Sequence, residues 1–194
     1  MSKAKYFSRG FSLVEMLVAI GIFMSIMTLA ITALITIISV NKKAQIIKNT
    51  MDNVTFIIED ISRNMRTGTE YWCSPNGTDF PENNKDCSDG GKAVKYKNIS
   101  DIDIVYKFDK ASDNILTKRE GTDPEKVLIS KDSNVNIDNM TFYVIGADDE
   151  SNAEMSKRTQ PRVIITVSGK ISAKGSVDTT FDLQTSISQR MRRE

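Results

Sequence analysis

The sequence predicts an α+β protein in which one long N-terminal helix precedes a mainly antiparallel β-sheet. Two patterns carry this prediction. From Leu13 to Val40 the only ionisable side chain is Glu15, and apolar residues then recur at spacings of three and four up to Met65. After residue 93, short segments alternate apolar and polar side chains, which is typical of strands with one exposed face. The 194 residues suffice for one domain and an anchor.

The first half of the predicted helix is a candidate membrane span. A helix over residues 13–40 would be about 42 Å long, against a hydrocarbon core of about 30 Å. The segment is too long for the apolar part of a secretory signal peptide, and no small-x-small cleavage site ends it. A carboxylate at the edge of a span is costly, so Glu15 is a candidate functional residue. The alternative is that Glu15 reaches the lipid headgroups at the end of an ordinary anchor.

The second half of the helix predicts the spine of a globular head. No proline interrupts the pattern, and Gly68 is a suitable C-terminal stop, so we expect the helix to end at about Arg66. Ile46, Phe56 and Ile57 widen the apolar face, which favours packing on a sheet over a narrow coiled-coil seam. The apolar positions are Ala44, Ile47, Met51, Val54, Ile58, Ile61 and Met65.

Cys73 and Cys87 are the only cysteines, and they lie in a polar, turn-rich stretch over residues 67–92 that we predict to be a loop. A disulfide closing it would stabilise the fold by about 3 kcal/mol in the chain-entropy model. An even cysteine count in an exported domain favours this pairing. The alternatives are two free thiols or half of a metal site, and the chain has no histidine to complete a zinc site. Tyr71 and Trp72 are expected to cover the junction between helix and sheet.

Six segments predict strands, and the first two predict a hairpin because Asp113 and Asn114 are turn formers. The apolar residues or ranges of the six are Ile102, Ile104, Tyr106 and Phe108; Ile115–Lys118; Val127–Ser130; Met140, Phe142 and Val144; Val163, Ile165 and Val167; and Phe181, Leu183 and Ile187.

Composition and motifs argue against catalysis. Without histidine, His-based triads and His metal sites are excluded, and no glycine-rich phosphate-binding motif is present. The net charge of +1 does not predict a nucleic-acid partner. We therefore expect no enzyme activity and no cofactor. A calcium site is a weak alternative at the acidic loop that contains Asp148, Asp149, Glu150 and Glu154, because Ca²⁺ prefers clustered oxygen ligands.

The segment Arg-Gly-Phe-Ser-Leu-Val-Glu-Met-Leu-Val-Ala-Ile at residues 9–20 resembles the processing signature of type IV pilins and type II secretion pseudopilins. The match is contiguous, with a basic leader before it and a long apolar helix after it. The resemblance implies that a prepilin peptidase cuts after Gly10, on the cytoplasmic side, and N-methylates the new amine of Phe11. It also implies that Glu15 pairs with the N-terminal amine of a neighbouring subunit. A buried carboxylate is tolerable only with such a cationic partner.

The resemblance implies a domain order and a location. Residues 1–10 would be a cytoplasmic leader, 11–40 the transmembrane and filament-core helix, and 41–194 an extracytoplasmic, pilin-like head. Within the head we expect a helical spine over 41–66, a disulfide loop over 67–92 and β-sheet over 93–194. Lysines flank both ends of the span, so the positive-inside rule does not set the orientation. The family and the cysteine pair favour a head outside the cytoplasm, in the periplasm or beyond the cell. Loss of the leader would remove three positive charges and leave a net charge of −2.

The implied partners are other pilin or pseudopilin subunits, the prepilin peptidase, an inner-membrane assembly platform, and membrane lipid before assembly. The head itself is similar to the J-type minor pseudopilin of type II secretion, which implies a subunit of a filament tip complex. Two alternatives stay open: a tip adhesin or DNA-capture module of a type IV pilus, and a single-pass envelope protein that never polymerises. The segments that carry the second likeness are Val105–Phe108, Asn114–Glu120, Val127–Ser130, Met140–Tyr143, Pro161–Val167 and Phe181–Arg190.

Overall fold

The computed structural model describes residues 10–81, 86–111, 114–130, 134–147, 160–172 and 178–190. One helix is followed by strands that pair antiparallel, which confirms the predicted α+β layout. The chain divides into two compact units, Met1–Gln45 and Ile46–Glu194. The elements are α1 Leu13–Arg66, β1 Thr69–Ser74, β2 Cys87–Gly91, β3 Ala93–Lys97, β4 Asp103–Asp109, β5 Ile115–Glu120, β6 Lys126–Ile129, β7 Val135–Ile145, β8 Arg162–Ile171 and β9 Thr179–Ser188.

In the second unit, α1 buries one stripe of side chains. Thr50, Val54, Ile58, Ile61 and Met65 are its buried residues, and the last four are positions that the sequence predicts. The prediction for Phe56 was wrong, because this side chain is 71% exposed. Two residues advance a helix by more than half a turn, so position 56 lies opposite the stripe that contains positions 54 and 58.

The C-terminus of α1 is closed by three contacts. The Gly68 amide donates to the Met65 carbonyl at 2.9 Å, and the Tyr71 hydroxyl donates to the same carbonyl. The Arg190 amide, after β9, donates to the Arg66 carbonyl at 2.8 Å. A side chain at Gly68 would collide with the Tyr96 ring, so glycine suits this position. The predicted helix stop is confirmed.

The strands form a five-stranded sheet of order β1-β3-β4-β5-β6 and a four-stranded sheet of order β2-β7-β8-β9. The alternating residues that predicted the strands face the core. Phe142 of β7 pairs with Ile165 of β8, and both are at most 1% exposed. Ile102 differs, since β4 begins one residue later and this side chain is 39% exposed.

The stretch expected to be a loop over residues 67–92 contains two strands, β1 and β2, at its two ends. Neither strand shows the alternating pattern from which the other strands were predicted. The four consecutive residues of β1 from Tyr71 to Ser74 are all buried, so they do not alternate, and β2 ends in two glycines. Cys73 and Cys87 form the predicted disulfide, with Cα atoms 5.8 Å apart, and it joins the edges of the two sheets.

Tyr71 and Trp72 occupy different surroundings, although both were expected at the helix–sheet junction. Tyr71 lies there, with its hydroxyl at the end of α1. Trp72 instead stacks under the Lys95 ammonium, which lies 4.1 Å from the ring centroid. Successive side chains of a strand point to opposite faces, so the two neighbours cannot both cover the helix.

Candidate functional site

The Gly10–Phe11 peptide bond lies in accessible, non-helical backbone. Residues 10–12 precede α1 in no regular structure, and all three are exposed. The Phe11 side chain is 76% exposed. A peptide bond in this setting is open to a protease without any unwinding of the helix.

Ser12 starts the helix and places Glu15 in its first turn. The Met16 amide donates to the Ser12 carbonyl at 3.2 Å, so Ser12 occupies the N-cap position. Glu15 then stands at the third helical position, the spacing of a capping box, where a negative charge is stabilised by the helix dipole. We did not predict this cap, although the Ser-x-x-Glu spacing was visible in the sequence.

The Glu15 carboxylate is available to another molecule. Its side chain is exposed, and within the described part of the chain no ion pair or hydrogen bond to the carboxylate is present. From Leu13 to Val40 it is the only ionisable group on an otherwise apolar surface. A carboxylate in this position would be costly in a low-dielectric environment unless a cation joined it.

The hydroxyl groups of the apolar segment are satisfied within the helix. Ser25 donates to the Gly21 carbonyl at 2.9 Å and Thr28 to the Met24 carbonyl at 2.8 Å. Thr32, Thr36 and Ser39 likewise donate to carbonyls three or four residues earlier. No hydroxyl of residues 13–40 therefore needs water, as a segment in lipid requires.

The apolar surface of α1 is unoccupied by the chain itself. The helix is long and apolar enough to cross a membrane, and its most apolar stretch is not buried by any described residue. A methyl group at Gly21 would meet no atom of this chain within 4 Å. The glycine therefore meets no packing requirement of the described chain.

The remaining predicted sites contribute less. Asp148, Asp149, Glu150 and Glu154, the calcium candidates, lie outside the described residues. Among the residues that the structure describes, no three Asp, Glu, Cys or His side chains group closely enough to hold a metal ion.

Among the described residues of the head, three stacked tyrosines form a cluster of buried ionisable groups. The rings of Tyr71 and Tyr96 lie 5.9 Å apart, and those of Tyr96 and Tyr106 lie 6.2 Å apart. Burial raises the pKa of Tyr96 and of Tyr106, because the phenolate would lose its hydration. On the surface, hydrogen bonds from Lys97 to Glu70 and Asp101, both 3.2 Å away, raise the pKa of the lysine. The tyrosine cluster stabilises the head, and nothing in its setting indicates a reaction.

Together, the fold and the N-terminal segment define an α+β protein with one helix that is long and apolar enough to cross a membrane. The first turn of this helix carries an exposed carboxylate close to an accessible peptide bond. Comparison with protein families identifies this segment: the prokaryotic N-terminal methylation motif matches residues 7–31. The match indicates an N-terminal segment like that of type IV prepilins. It includes Gly10, Phe11 and Glu15 and stops within α1, so it does not extend to the head.

Neither the curated proteins nor the solved structures gave a match to the chain. The likeness of the head to J-type minor pseudopilins is therefore not confirmed. The methylation motif implies processing by a prepilin peptidase and association with other pilin subunits.

Proposed function

We propose that this chain is a minor pilin or pseudopilin, a structural subunit that joins the tip complex of a type II secretion filament or a type IV pilus. The observation that carries the proposal is Glu15. Its carboxylate stands in the first turn of an apolar helix, without a partner in the described chain, inside a methylation motif. Such a charge calls for a cation from outside the chain.

Processing would supply that cation. Cleavage after Gly10 creates a positive amine on Phe11. Only one residue, Ser12, separates Phe11 from the start of α1. When two helices pack side by side with an axial offset, the amine of one subunit can meet Glu15 of the other. A charge pair in an apolar setting is strongly position-dependent, so the pair would set the axial register between subunits. N-methylation keeps the positive charge of the amine.

The rest of the chain supports a structural role. Before assembly the exposed apolar helix would be stored in the cytoplasmic membrane, with the leader in the cytoplasm and the head outside. An assembly platform in that membrane would move the subunit into the filament. The head would supply contacts between subunits, without a cofactor and without catalysis.

Processing is tested by expressing the chain with an active prepilin peptidase and measuring the mass of the intact protein. We expect loss of residues 1–10 and gain of one methyl group on Phe11. Gly10→Val should leave the precursor uncut, because a branched side chain at the scissile bond enlarges the residue that the peptidase must accept. Gly21→Val, a matched control within the helix, should be processed normally. An uncut wild-type chain beside an active peptidase would disprove the proposal.

Assembly is tested with Glu15→Gln, which removes the charge and keeps the size of the side chain. We expect a variant that is cut and remains in the membrane but is lost from sheared filaments, because the neighbouring amine would be left without its partner. Asp52→Asn changes an exposed carboxylate of the same helix and should assemble normally. If Glu15→Gln entered filaments like wild type, the carboxylate would have no registry role.

The parent machine is identified by deleting the gene and scoring protein secretion, surface pili and DNA uptake in parallel. A tip subunit of a secretion filament predicts loss of secretion alone. Loss of surface pili alone would assign the chain to a pilus, and loss of DNA uptake would assign it to a competence system.

A further inference from the structure

On two opposite flanks of the head lies an open sheet edge, that is, a strand with a neighbour on one side only. In the sheet orders, β6 and β9 are terminal, as are β1 and β2. The edges of β1 and β2 face each other, because the Cys73–Cys87 disulfide joins them and Gly91 of β2 lies against Cys73 and Ser74 of β1. Within the described residues, only β6 and β9 therefore remain as open edges.

The β9 edge lacks the features by which proteins protect a free edge. It is ten residues long, pairs with β8 without a register shift, and carries one charged residue, Asp182, with no lysine and no proline. Natural edges are usually short, bulged, charged or covered, since an open ladder attracts another strand. By contrast β1 and β2 have six and five residues, and each has a register shift in its pairing. β6 is also short, with four residues and a register shift against β5, so another copy's β6 would cover only part of the β9 edge.

The hydrogen-bond pattern shows which backbone groups of β9 are open. The Gln189 amide donates to the Pro161 carbonyl at 3.0 Å, so odd-numbered positions of β9 form the bonded pairs with β8. The amides and carbonyls of the even-numbered residues consequently point away from the sheet. These residues are Thr180, Asp182, Gln184, Ser186 and Ser188, and their side chains are exposed.

The two open edges run in opposite directions along the head segment of α1, which is residues 46–66, the part within the second unit. The last residue of β6, Ile129, lines a groove with Thr50 and Val54, near the start of that segment. The first residue of β6 pairs with Lys118, which lines a different groove with Asn64 and Thr67, at the other end. β9 runs the other way, since Arg190 just after it bonds to Arg66.

We propose that β9 of one copy pairs with β6 of a second copy, so that the sheet continues from head to head. The inference rests on the proposed function, because assembly of anchored subunits holds neighbouring heads in a common orientation. In that orientation β6 of the second copy meets β9 antiparallel. The contact joins two different surfaces, so the two copies keep the same orientation and no two-fold axis has to relate them. An antiparallel pair of two β9 strands would instead reverse α1 of the second copy.

Both flanks carry apolar surface beside their open edge. Beside β9 lies a cavity of about 210 Å³ whose lining includes the apolar residues Ile58 and Leu183 and the polar residue Glu59. The β6 flank presents Val127, which is 50% exposed, and Phe56, which is 71% exposed and lines a groove with Ile129. A contact between the two edges would remove part of this apolar surface from water.

The test uses cysteine crosslinking in the full-length chain. Both native cysteines are in the disulfide, so an introduced cysteine is the only free thiol. Val127→Cys and Ser186→Cys are placed in two differently tagged copies, expressed together with the assembly machinery, and treated with a short bismaleimide that tolerates a slip of one residue. We expect a mixed dimer in the filament fraction and none when Ser100→Cys, an exposed position outside both edges, replaces Ser186→Cys.

The same gel separates the outcomes. Cleaved and assembled chains without the mixed dimer would overturn the β6–β9 contact and leave the proposed function standing. A dimer formed by Ser186→Cys alone would show β9 against β9 and would also overturn the contact. An uncut precursor would remove the proposed function and, with it, the common orientation that the contact needs.

A backbone variant tests the edge itself. Gln184→Pro removes an amide that points outward, where proline is tolerated in an edge strand, whereas Thr185→Pro removes an amide that bonds to β8. We expect Gln184→Pro to keep the thermal unfolding of the head and to lose the mixed dimer, and Thr185→Pro to unfold the head more easily. A full yield of mixed dimer in the Gln184→Pro chain would contradict the inference.

Discussion

At the scale of single residues, the structure separates groups that serve the fold from groups that are free to serve another molecule. Gly91 serves the fold. A side chain there would approach the Cys73 sulfur at 2.5 Å and the Ser74 carbonyl at 2.6 Å, so only glycine lets β1 and β2 meet at the disulfide. Gly21 and Glu15 have no such role in the described chain, so both remain available for contact with another molecule.

The buried tyrosines predict an alkaline limit to stability. The pKa of Tyr96 is raised by burial, so in the folded head this tyrosine stays neutral, while the unfolded chain ionises it above a pH of about 10. The unfolded state then binds fewer protons, and the free energy of unfolding falls by about 1.4 kcal/mol per pH unit for each such tyrosine. Urea unfolding of the full chain at several pH values above 9 would measure this slope.

The Tyr96→Phe variant provides the control. It should reduce the slope above pH 10 and leave the curve below pH 9 parallel to that of wild type, since both side chains are then neutral. An unchanged slope would mean that another group titrates with folding.

The residue-level features that sequence could predict are the local ones. Gly10, Phe11 and Glu15 were identified because their motif is contiguous, and Cys73 and Cys87 because the chain has no other cysteine to pair. The cap at Ser12 was equally local and could have been found. The carbonyl that Arg190 caps could not, because Arg66 is far away in sequence and only the completed fold brings them together.

At the scale of elements, α1 shows how far periodicity extends. The stripe of Val54, Ile58, Ile61 and Met65 was predicted and confirmed. Phe56 was assigned to the wrong face, because the prediction considered its hydrophobicity and not its angular position around the helix axis. Strands β7, β8 and β9 followed from alternation. β1 did not, because it is buried on both faces around its tryptophan and disulfide, and β2 did not, because its glycines carry no strand signal.

Two substitutions in α1 test the corrected face. Ile61→Ala should lower the free energy of unfolding of the head by about 2–5 kcal/mol, because Ile61 is fully buried and the cavity would not collapse. Phe56→Ala, on the exposed face, should change it by less than about 0.5 kcal/mol. Thermal or urea unfolding followed by the fluorescence of Trp72 would measure both. Equal losses would place Phe56 back in the core.

At the scale of the whole molecule, the disulfide joins two sheets and does more than close a loop. It connects β1 of the five-stranded sheet to β2 of the four-stranded sheet. Their partition into separate sheets was not predictable from local patterns, because the order of strands depends on pairings between distant segments. The entropic contribution of the disulfide, by contrast, can be estimated from the sequence, because in the chain-entropy model it depends only on the spacing of 14 residues between the cysteines.

Removal of the disulfide tests its contribution to the head. Cys73→Ser with Cys87→Ser should lower the free energy of unfolding by about 3 kcal/mol. Trp72 directly precedes Cys73 in β1, and both cysteine sulfurs lie near the Phe142 carbonyl of β7. Loss of the disulfide should therefore also shift the fluorescence of Trp72 in the folded state. A matched pair, Ser100→Ala with Ser88→Ala at exposed positions, should have little effect. An unchanged unfolding midpoint in the cysteine variant would show that core packing alone holds the sheets together.

The hydroxyls of the apolar helix have a consequence for how such a subunit could change surroundings. Because Ser25, Thr28, Thr32, Thr36 and Ser39 already bond to carbonyls of their own helix, transfer from lipid to a packed protein interior would break and form none of their hydrogen bonds. The free energy of the helix would therefore differ little between lipid and a protein interior, apart from the contributions of side-chain packing and of the Glu15 carboxylate. The partition would then be controlled by close packing and by the charge state of the partner amine. A prepilin that keeps its leader would lack that amine and would stay in the membrane.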